Sequence, residues 1–190
     1  MSSNKDLSNQ ELMKSVIQRI ATGPELSKNI SREEARQSMV SILDGEISDV
    51  RSAVFLIALR MKRETTDENL GVHDAMIDSV KTFDVQTENL VNIADPYDGF
   101  TRNIPSSAFI LPVLAEVGIP AISQGVETVG PKFGCTHHSI FKLLGLDVNA
   151  SHINVAERIN DKDIGWGYMD QKIFSPKLNN LMSLRIEIIK

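Results

Sequence analysis

The stretch Asp95-Pro-Tyr-Asp-Gly-Phe-Thr-Arg-Asn-Ile-Pro-Ser-Ser107 decides how this chain is to be read. Ahead of it, Leu90-Val-Asn-Ile93 reads as a short strand, and residues 106–117 behind it read as a helix despite Pro112. A loop so placed lies at the carboxyl end of a strand, where open α/β sheets bind their ligands. Backbone amides, Asn103, Ser106 and the start of the following helix could hold phosphate oxygens there, with Arg102 adding charge. The same residues suit a solvated turn, because Asp and Gly serve turn geometry. The pattern alone leaves both open.

Downstream the alternation continues. Gly118 precedes a strand expected at residues 119–122, and a helix is expected over 135–144, ending at Gly145. Residues 153–159 read as a short helix and 165–169 as a third strand, while Ser175-Pro176 caps and opens a final helix running to the end. Strands alternating with helices imply a parallel sheet with crossovers.

Upstream the texture is helical. Leu12, Val16, Ile17 and Ile20 recur at helical spacing before Gly23-Pro24. Ser31-Arg-Glu-Glu34 and Thr65-Thr-Asp-Glu68 are capping boxes, in which Ser or Thr accepts from an orphan amide and Glu reaches back. Ser48 or Asp49 caps the helix between them, whose apolar face is expected at Val50, Val54, Ile57 and Ala58. The fourth helix is expected to present Leu70, Val72, Met76, Ile77 and Val80. The expected fold class is α/β and mostly helical overall: a helical lobe over 1–85, a partial parallel α/β domain over 86–170, and a helix over 171–190 packing back on the lobe.

Composition narrows the function. The 190 residues carry a formal charge of −5, with 42% hydrophobic and 24% charged residues. No basic face is available for phosphates in series, so a nucleic-acid partner is not expected. The start, Met1-Ser-Ser-Asn-Lys-Asp6, has no apolar core of the signal-peptide kind, and the run 53–59 is too short to span a bilayer. The single Cys135 forms no internal disulfide and fits a reducing cytoplasm.

A second loop, Ser123-Gln-Gly-Val-Glu-Thr-Val-Gly-Pro-Lys-Phe-Gly-Cys-Thr-His-His138, also joins a strand to a helix. Its glycines allow close approach of a ligand and Lys132 can neutralise a phosphate. It is neither a Walker motif nor a dinucleotide fingerprint. His137 and His138 are adjacent, so on a helix they point about 100° apart and do not converge on a metal. Polar contacts or capping suit them better. Asp95 and Asp98 are the nearest carboxylates to a magnesium site.

These segments, in this order, resemble anthranilate phosphoribosyltransferases and their relatives, the pyrimidine nucleoside phosphorylases among them. The likeness runs from Ser31-Arg-Glu-Glu-Ala35, Leu43-Asp-Gly-Glu46 and Ala53-Val-Phe-Leu-Ile-Ala-Leu-Arg60 through both loops to Asp170-Gln-Lys-Ile-Phe-Ser-Pro176 and Arg185. It implies transfer of a phosphoribosyl group to an aromatic or other nitrogenous acceptor, as in tryptophan biosynthesis, in a cytoplasmic and dimeric enzyme using Mg2+. It places Asp98, Gly99, Asn103, Ser106, Gly125, Lys132 and Gly134 around the phosphoribosyl donor, and Arg185 by the acceptor carboxylate. No general base is identified.

The motifs depart from the family in places. Where the family has Gly-Thr-Gly-Gly-Asp, this chain has Ala94-Asp-Pro-Tyr-Asp98; where it has Lys-His-Gly-Asn-Arg, this chain has Ser123-Gln-Gly-Val-Glu127. Losing donors at about 1.5–3 kcal/mol each would weaken a highly anionic ligand. The resemblance also implies roughly as many residues again, with an Asp-Glu pair for magnesium, so the chain is read as a fragment of a longer protein, as one half completed by a complementary C-terminal chain, or as a homodimer. A non-catalytic binding or assembly subunit is the alternative.

Overall fold

The computed structural model describes residues 8–189 apart from Pro24, Pro96 and Ile104. The readings placed on residues 1–6, Pro24, Pro96, Ile104 and Lys190 lie outside the described residues. Two compact units divide the chain, Met1–Val80 and Lys81–Lys190.

The first unit holds α1 (Asn9–Ile20), α2 (Arg32–Leu43), α3 (Asp49–Lys62) and α4 (Thr66–Asp78). Both expected capping boxes form, at Ser31/Glu34 and Thr65/Glu68, and a third at Ser8/Glu11 opens α1. Each such cap stabilises its helix by about 1 kcal/mol. The apolar faces differ from expectation. On α3 the buried residues are Ser52, Phe55, Ala58 and Leu59, while Val50, Val54 and Ile57 are exposed. The helix is apolar on more than one side, so spacing alone admits either stripe. On α4 the buried positions are Glu68, Gly71 and Ala75, not the larger Leu70 and Ile77. Small residues win because α2 lies close: a Cβ on Gly71 would run into the carbonyl oxygen of Arg32 and the side chain of Ala35. Glu68 is fully buried, accepting from the amides of Ile30 (2.8 Å) and Thr65 (2.7 Å) and from Lys62 Nζ (2.7 Å).

The second unit is a three-stranded parallel sheet in the order β1 (Val91–Ala94), β2 (Ala121–Gly125), β3 (Trp166–Asp170). Each strand sits one to three residues downstream of its expected position. Register pairs Ile93 with Ser123 and Ser123 with Tyr168. Alternation then puts Ile93, Ala121, Ser123, Trp166 and Tyr168 on one face, and Asn92, Ile122, Gln124 and Met169 on the other. The first face is covered by α5 (Ile110–Glu116) and α6 (His137–Leu143), through Leu111, Ile140 and Phe141. The second is covered by α7 (His152–Asn160), through Val155 and Ile159. Fully burying a Leu or Phe of this kind contributes about 1.5–3 kcal/mol.

Details of the crossovers follow from local chemistry. The expected helix over 106–117 starts as a 3-10 turn, Ser106–Phe109, before α5. Pro112 falls in the first turn of α5, where its missing N–H removes no helical bond. Thr136 caps α6, accepting from the amide of Ser139. The single C-terminal helix expected from Ser175 is instead divided. A short α8 (Gln171–Phe174) comes first, then α9 (Pro176–Asn180) and α10 (Met182–Ile189), with Leu181 capping the break.

Candidate functional site

Because all three strands run parallel, the residues that end them meet at one edge. Asp95 follows β1, Gly125 ends β2, and Asp170 ends β3 beside Gln171. This is the edge at which open α/β sheets take ligands. A cleft of about 190 Å³ opens there, lined by residues that include Asp95, Tyr97, Gly125 and Gln171.

A buried polar network backs the edge. The Asp95 carboxylate accepts from the backbone N–H of His137 at 2.8 Å, at the first residue of α6. The His137 ring, fully buried, lies 2.7 Å from Ser107 Oγ through Nε2 and 2.7 Å from Ser123 Oγ through Nδ1. Burial pushes the imidazole below its usual range, against the opposing attraction of Asp95. Burial likewise pushes the Asp95 carboxyl up, opposed by the His137 amide and ring. Both groups are thereby drawn toward their neutral forms. A neutral ring donates through one nitrogen and accepts through the other, and so satisfies both serines.

This constellation is not a hydrolytic triad. A triad sets serine and carboxylate on opposite ring nitrogens, whereas Ser107 and Asp95 Oδ1 (3.7 Å) both face Nε2. His137 ties the 3-10 turn, β2 and α6 together. His138 points elsewhere, 2.9 Å from Asp170 Oδ2 and 3.4 Å from the Tyr168 hydroxyl. The two histidines diverge, and no group of three or more His, Cys, Asp or Glu able to hold a metal occurs among the described residues.

The residues expected at the site fall into separate places. Asp98, Gly99, Lys132 and Gly134 come together where the two loops cross. Gly134 N–H donates to the Asp98 carbonyl at 3.0 Å, and Phe100 and Cys135 exchange backbone hydrogen bonds at 2.9 and 2.8 Å. Gly99 has φ +76°, and a Cβ on it would lie 2.5 Å from the Gly134 carbonyl group, so neither glycine has room for a side chain. Lys132 Nζ lies 3.2 Å from Asp98 Oδ2 with most of its side chain in solvent. Gly125 lies apart, at the cleft. Arg185 sits over the Tyr97 ring, 5.1 Å from its centre, and donates from Nε to the Gly130 carbonyl at 3.3 Å. Asn103 and Ser106 are exposed, on the bend and the 3-10 turn that follow.

Magnesium does not find a ready ligand set on the first loop. Asp98 is engaged by Lys132 and one oxygen of Asp95 by an amide. The side chains of Ser107, Ser123 and Tyr168 do not stand out in the sequence as members of this network. Their only signal is position, at strand ends or helix starts flanking the two loops.

Comparison with known proteins agrees with this architecture. Residues 14–80 match the helical bundle domain of the glycosyl transferase family. An anthranilate phosphoribosyltransferase of Methanopyrus kandleri is 32% identical over 171 residues, 90% of this chain and 48% of that protein. One from Leifsonia xyli is 30% identical, over 85% of this chain and 45% of its own length. Among solved structures, the anthranilate phosphoribosyltransferase of Thermus thermophilus superposes with a TM-score of 0.73 at 23% identity, over 94% of this chain and 51% of its own. The Saccharomyces cerevisiae enzyme in complex with PRPP and Mg gives 0.72 at 14% identity, covering 93% and 51%. The chain spans about half the length of the curated relatives it matches.

Proposed function

This chain is a divergent anthranilate phosphoribosyltransferase-like protein, and from that premise we propose that it carries the sheet-edge part of a phosphoribosyl transferase site. The observation that carries the reading is the meeting of Asp95, Gly125 and Asp170 at one carboxyl edge, beside a cleft. The reaction proposed is transfer of a phosphoribosyl group to an aromatic amine or related nitrogen nucleophile, with a place in tryptophan biosynthesis. The acceptor nitrogen bonds to ribose C1 as pyrophosphate departs, and the protein mainly positions the two substrates and stabilises the leaving group.

Lys132 is suited to the anion. Its pairing with Asp98 is a largely exposed ion pair, worth about 0–1 kcal/mol. A hydrogen bond to a charged phosphate is worth about 1.5–3 kcal/mol, so the exchange favours phosphate. Asp98, Gly99, Gly134, Asn103 and Ser106 would flank the same anion, with Gly125 toward the ribose and Arg185 toward an acceptor carboxylate. Magnesium would enter with the donor, its main ligands expected in the C-terminal half that the resemblance implies. The partner we propose is a second copy or a complementary C-terminal chain, in the cytoplasm. No helix among the described residues is long and apolar enough to cross a membrane.

Isothermal titration with phosphoribosyl pyrophosphate and Mg2+ tests the reading. Heat of binding is expected, weakened at least about tenfold by Lys132→Ala, as one charged hydrogen bond predicts. No heat from a protein shown folded by circular dichroism would return the weight to a non-catalytic binding subunit.

A further inference from the structure

Lys132, the side chain proposed for the anion, sits in a turn that is held from outside the two loops. The Phe133 amide donates to the Val129 carbonyl at 3.0 Å and closes the turn around Gly130, Pro131 and Lys132. Val129 and Gly130 are buried, whereas Lys132 and Phe133 are exposed. The turn is anchored at its start and bare at its tip.

Helix α10 supplies the anchor. Arg185 Nε donates to the Gly130 carbonyl at 3.3 Å, and Ile186 packs so closely that a Cβ on Gly130 would lie 3.1 Å from its Cγ1. The same guanidinium lies over the Tyr97 ring, 5.1 Å from its centre. Tyr97 adjoins Asp98, the carboxylate that faces Lys132 Nζ at 3.2 Å. One side chain thus touches the backbone or ring beside both members of that ion pair. A guanidinium suits the task, because its plane stacks on a ring while its N–H groups donate. Tyr97 stands where the family's Gly-Thr-Gly-Gly-Asp motif has a glycine, so the stack belongs to this chain's own sequence.

The backbone after Lys132 shows why an anchor is needed. Phe133 has φ +50°, in the left-handed region that a bulky residue seldom takes. Such a conformation persists only where the surrounding structure over-determines it. Here the Phe133 ring lies against Gly130, with Cζ 3.1 Å from the position of an added Cβ, and Arg185 holds Gly130 from the other element. Without Arg185 the turn is free to relax, and Lys132 moves with it.

We propose that Arg185 is a positioning residue for the anion loop: set between Tyr97 and the Gly130 carbonyl, it fixes the turn that presents Lys132 and acts on an anionic ligand through that lysine. The inference rests on the reading of Lys132 as the anion-binding residue. It concerns the phosphoribosyl donor and is separate from the acceptor contact proposed for the same side chain.

Two readouts on the whole chain test it, and one needs no ligand. Trypsin cuts after lysine, and nicking of a folded protein tracks the population of the opened segment. The cut between Lys132 and Phe133, identified by fragment mass, is expected to quicken about tenfold in Arg185→Ala, the scale of one cation–π contact with one hydrogen bond. Tyr97→Leu, which removes the stack alone, should quicken it about threefold. Arg185→Lys keeps a cation over the ring and should fall between wild type and Arg185→Ala. Cuts elsewhere and the melting temperature are expected to stay as they are. In calorimetry with phosphoribosyl pyrophosphate and Mg2+, Arg185→Ala should weaken binding about tenfold, yet add no further loss in a Lys132→Ala background.

Additive losses in that cycle would show Arg185 touching the anion itself and overturn the proposal. So would an unchanged cut at Lys132, or faster cutting at every site with a lower melting temperature. Donor binding that depends on Lys132 but ignores Arg185 sinks only this inference. No donor binding in the wild type, with the Lys132 cut still quickened in the variants, sinks the transferase reading and leaves Arg185 as the anchor of the turn.

Discussion

Gly99 and Gly134 pass backbone to backbone, with the Gly134 amide donating to the Asp98 carbonyl at 3.0 Å and no space for a side chain on either residue. The contact joins the loop after β1 to the loop after β2 without a single side-chain atom.

Gly99→Ala is expected to destabilise the fold by about 2 kcal/mol or more, because it combines a positive φ with a backbone clash. Urea unfolding followed by circular dichroism measures it. A change under half that size would mean the loops part easily, and the crossing would lose its structural role.

Gly125→Ala should behave in the opposite way. The added methyl meets its neighbours at ordinary contact distance, and Gly in a strand interior carries an entropic cost of roughly 0.5–1 kcal/mol relative to Ala. Stability is expected to hold or rise slightly while ligand binding at the cleft falls. Parallel melting and titration experiments separate the two effects.

Glu68→Ala is expected to cost about 3–5 kcal/mol, as for breaking a buried pair and leaving one charge alone. Burial pushes the Glu68 carboxyl up, but Lys62 and the amides of Ile30 and Thr65 outweigh it and hold the group below its usual range. A depressed carboxyl contributes stability that is present above the unfolded value, about 4.3, and lost as pH falls through the folded value. Glu68→Gln should therefore show a shallower acid limb in unfolding free energy than the wild type.

His137 sets a second pH dependence. Its imidazole is depressed by burial, so below about 6.5 the unfolded chain takes up the proton first and the folded state loses ground. Asp95, pushed up by burial, works in the other direction, weakening the fold as pH rises above its unfolded value. In the difference between wild type and His137→Gln the histidine contribution stands alone in sign. Wild-type stability should gain more than the variant between about pH 5 and pH 7, and equal slopes would remove the buried neutral histidine from the account.

Much of this architecture is legible in the chain because caps and turns are local. Ser31 with Glu34 and Thr65 with Glu68 mark helix starts by side-chain chemistry three residues apart, and the structure honours both. Ser8 with Glu11 carries the same signature and is open to the same reading. Burial is less local. Leu70 and Ile77 outrank Gly71 and Ala75 in hydrophobicity, yet α2 comes too close to α4 for anything but small side chains.

The site divides in the same manner. Positions after strands are readable from the alternation, which is why Asp95, Asp98, Gly125 and the second loop stand out. What each residue faces depends on register and on the packing of α6. Hence Lys132 faces Asp98, while His137 is aimed at two serines thirty and fourteen residues away in sequence.

That last arrangement gives the edge a direction. A neutral imidazole has one proton for two nitrogens, so when one serine hydroxyl gives its hydrogen to the ring, the other must receive one from it. Ser107 is partly open to solvent and Ser123 is wholly enclosed in the sheet. Turning the outer hydroxyl around therefore obliges the inner one to reverse, and the polarity of a group at the centre of the sheet follows from an event at its surface.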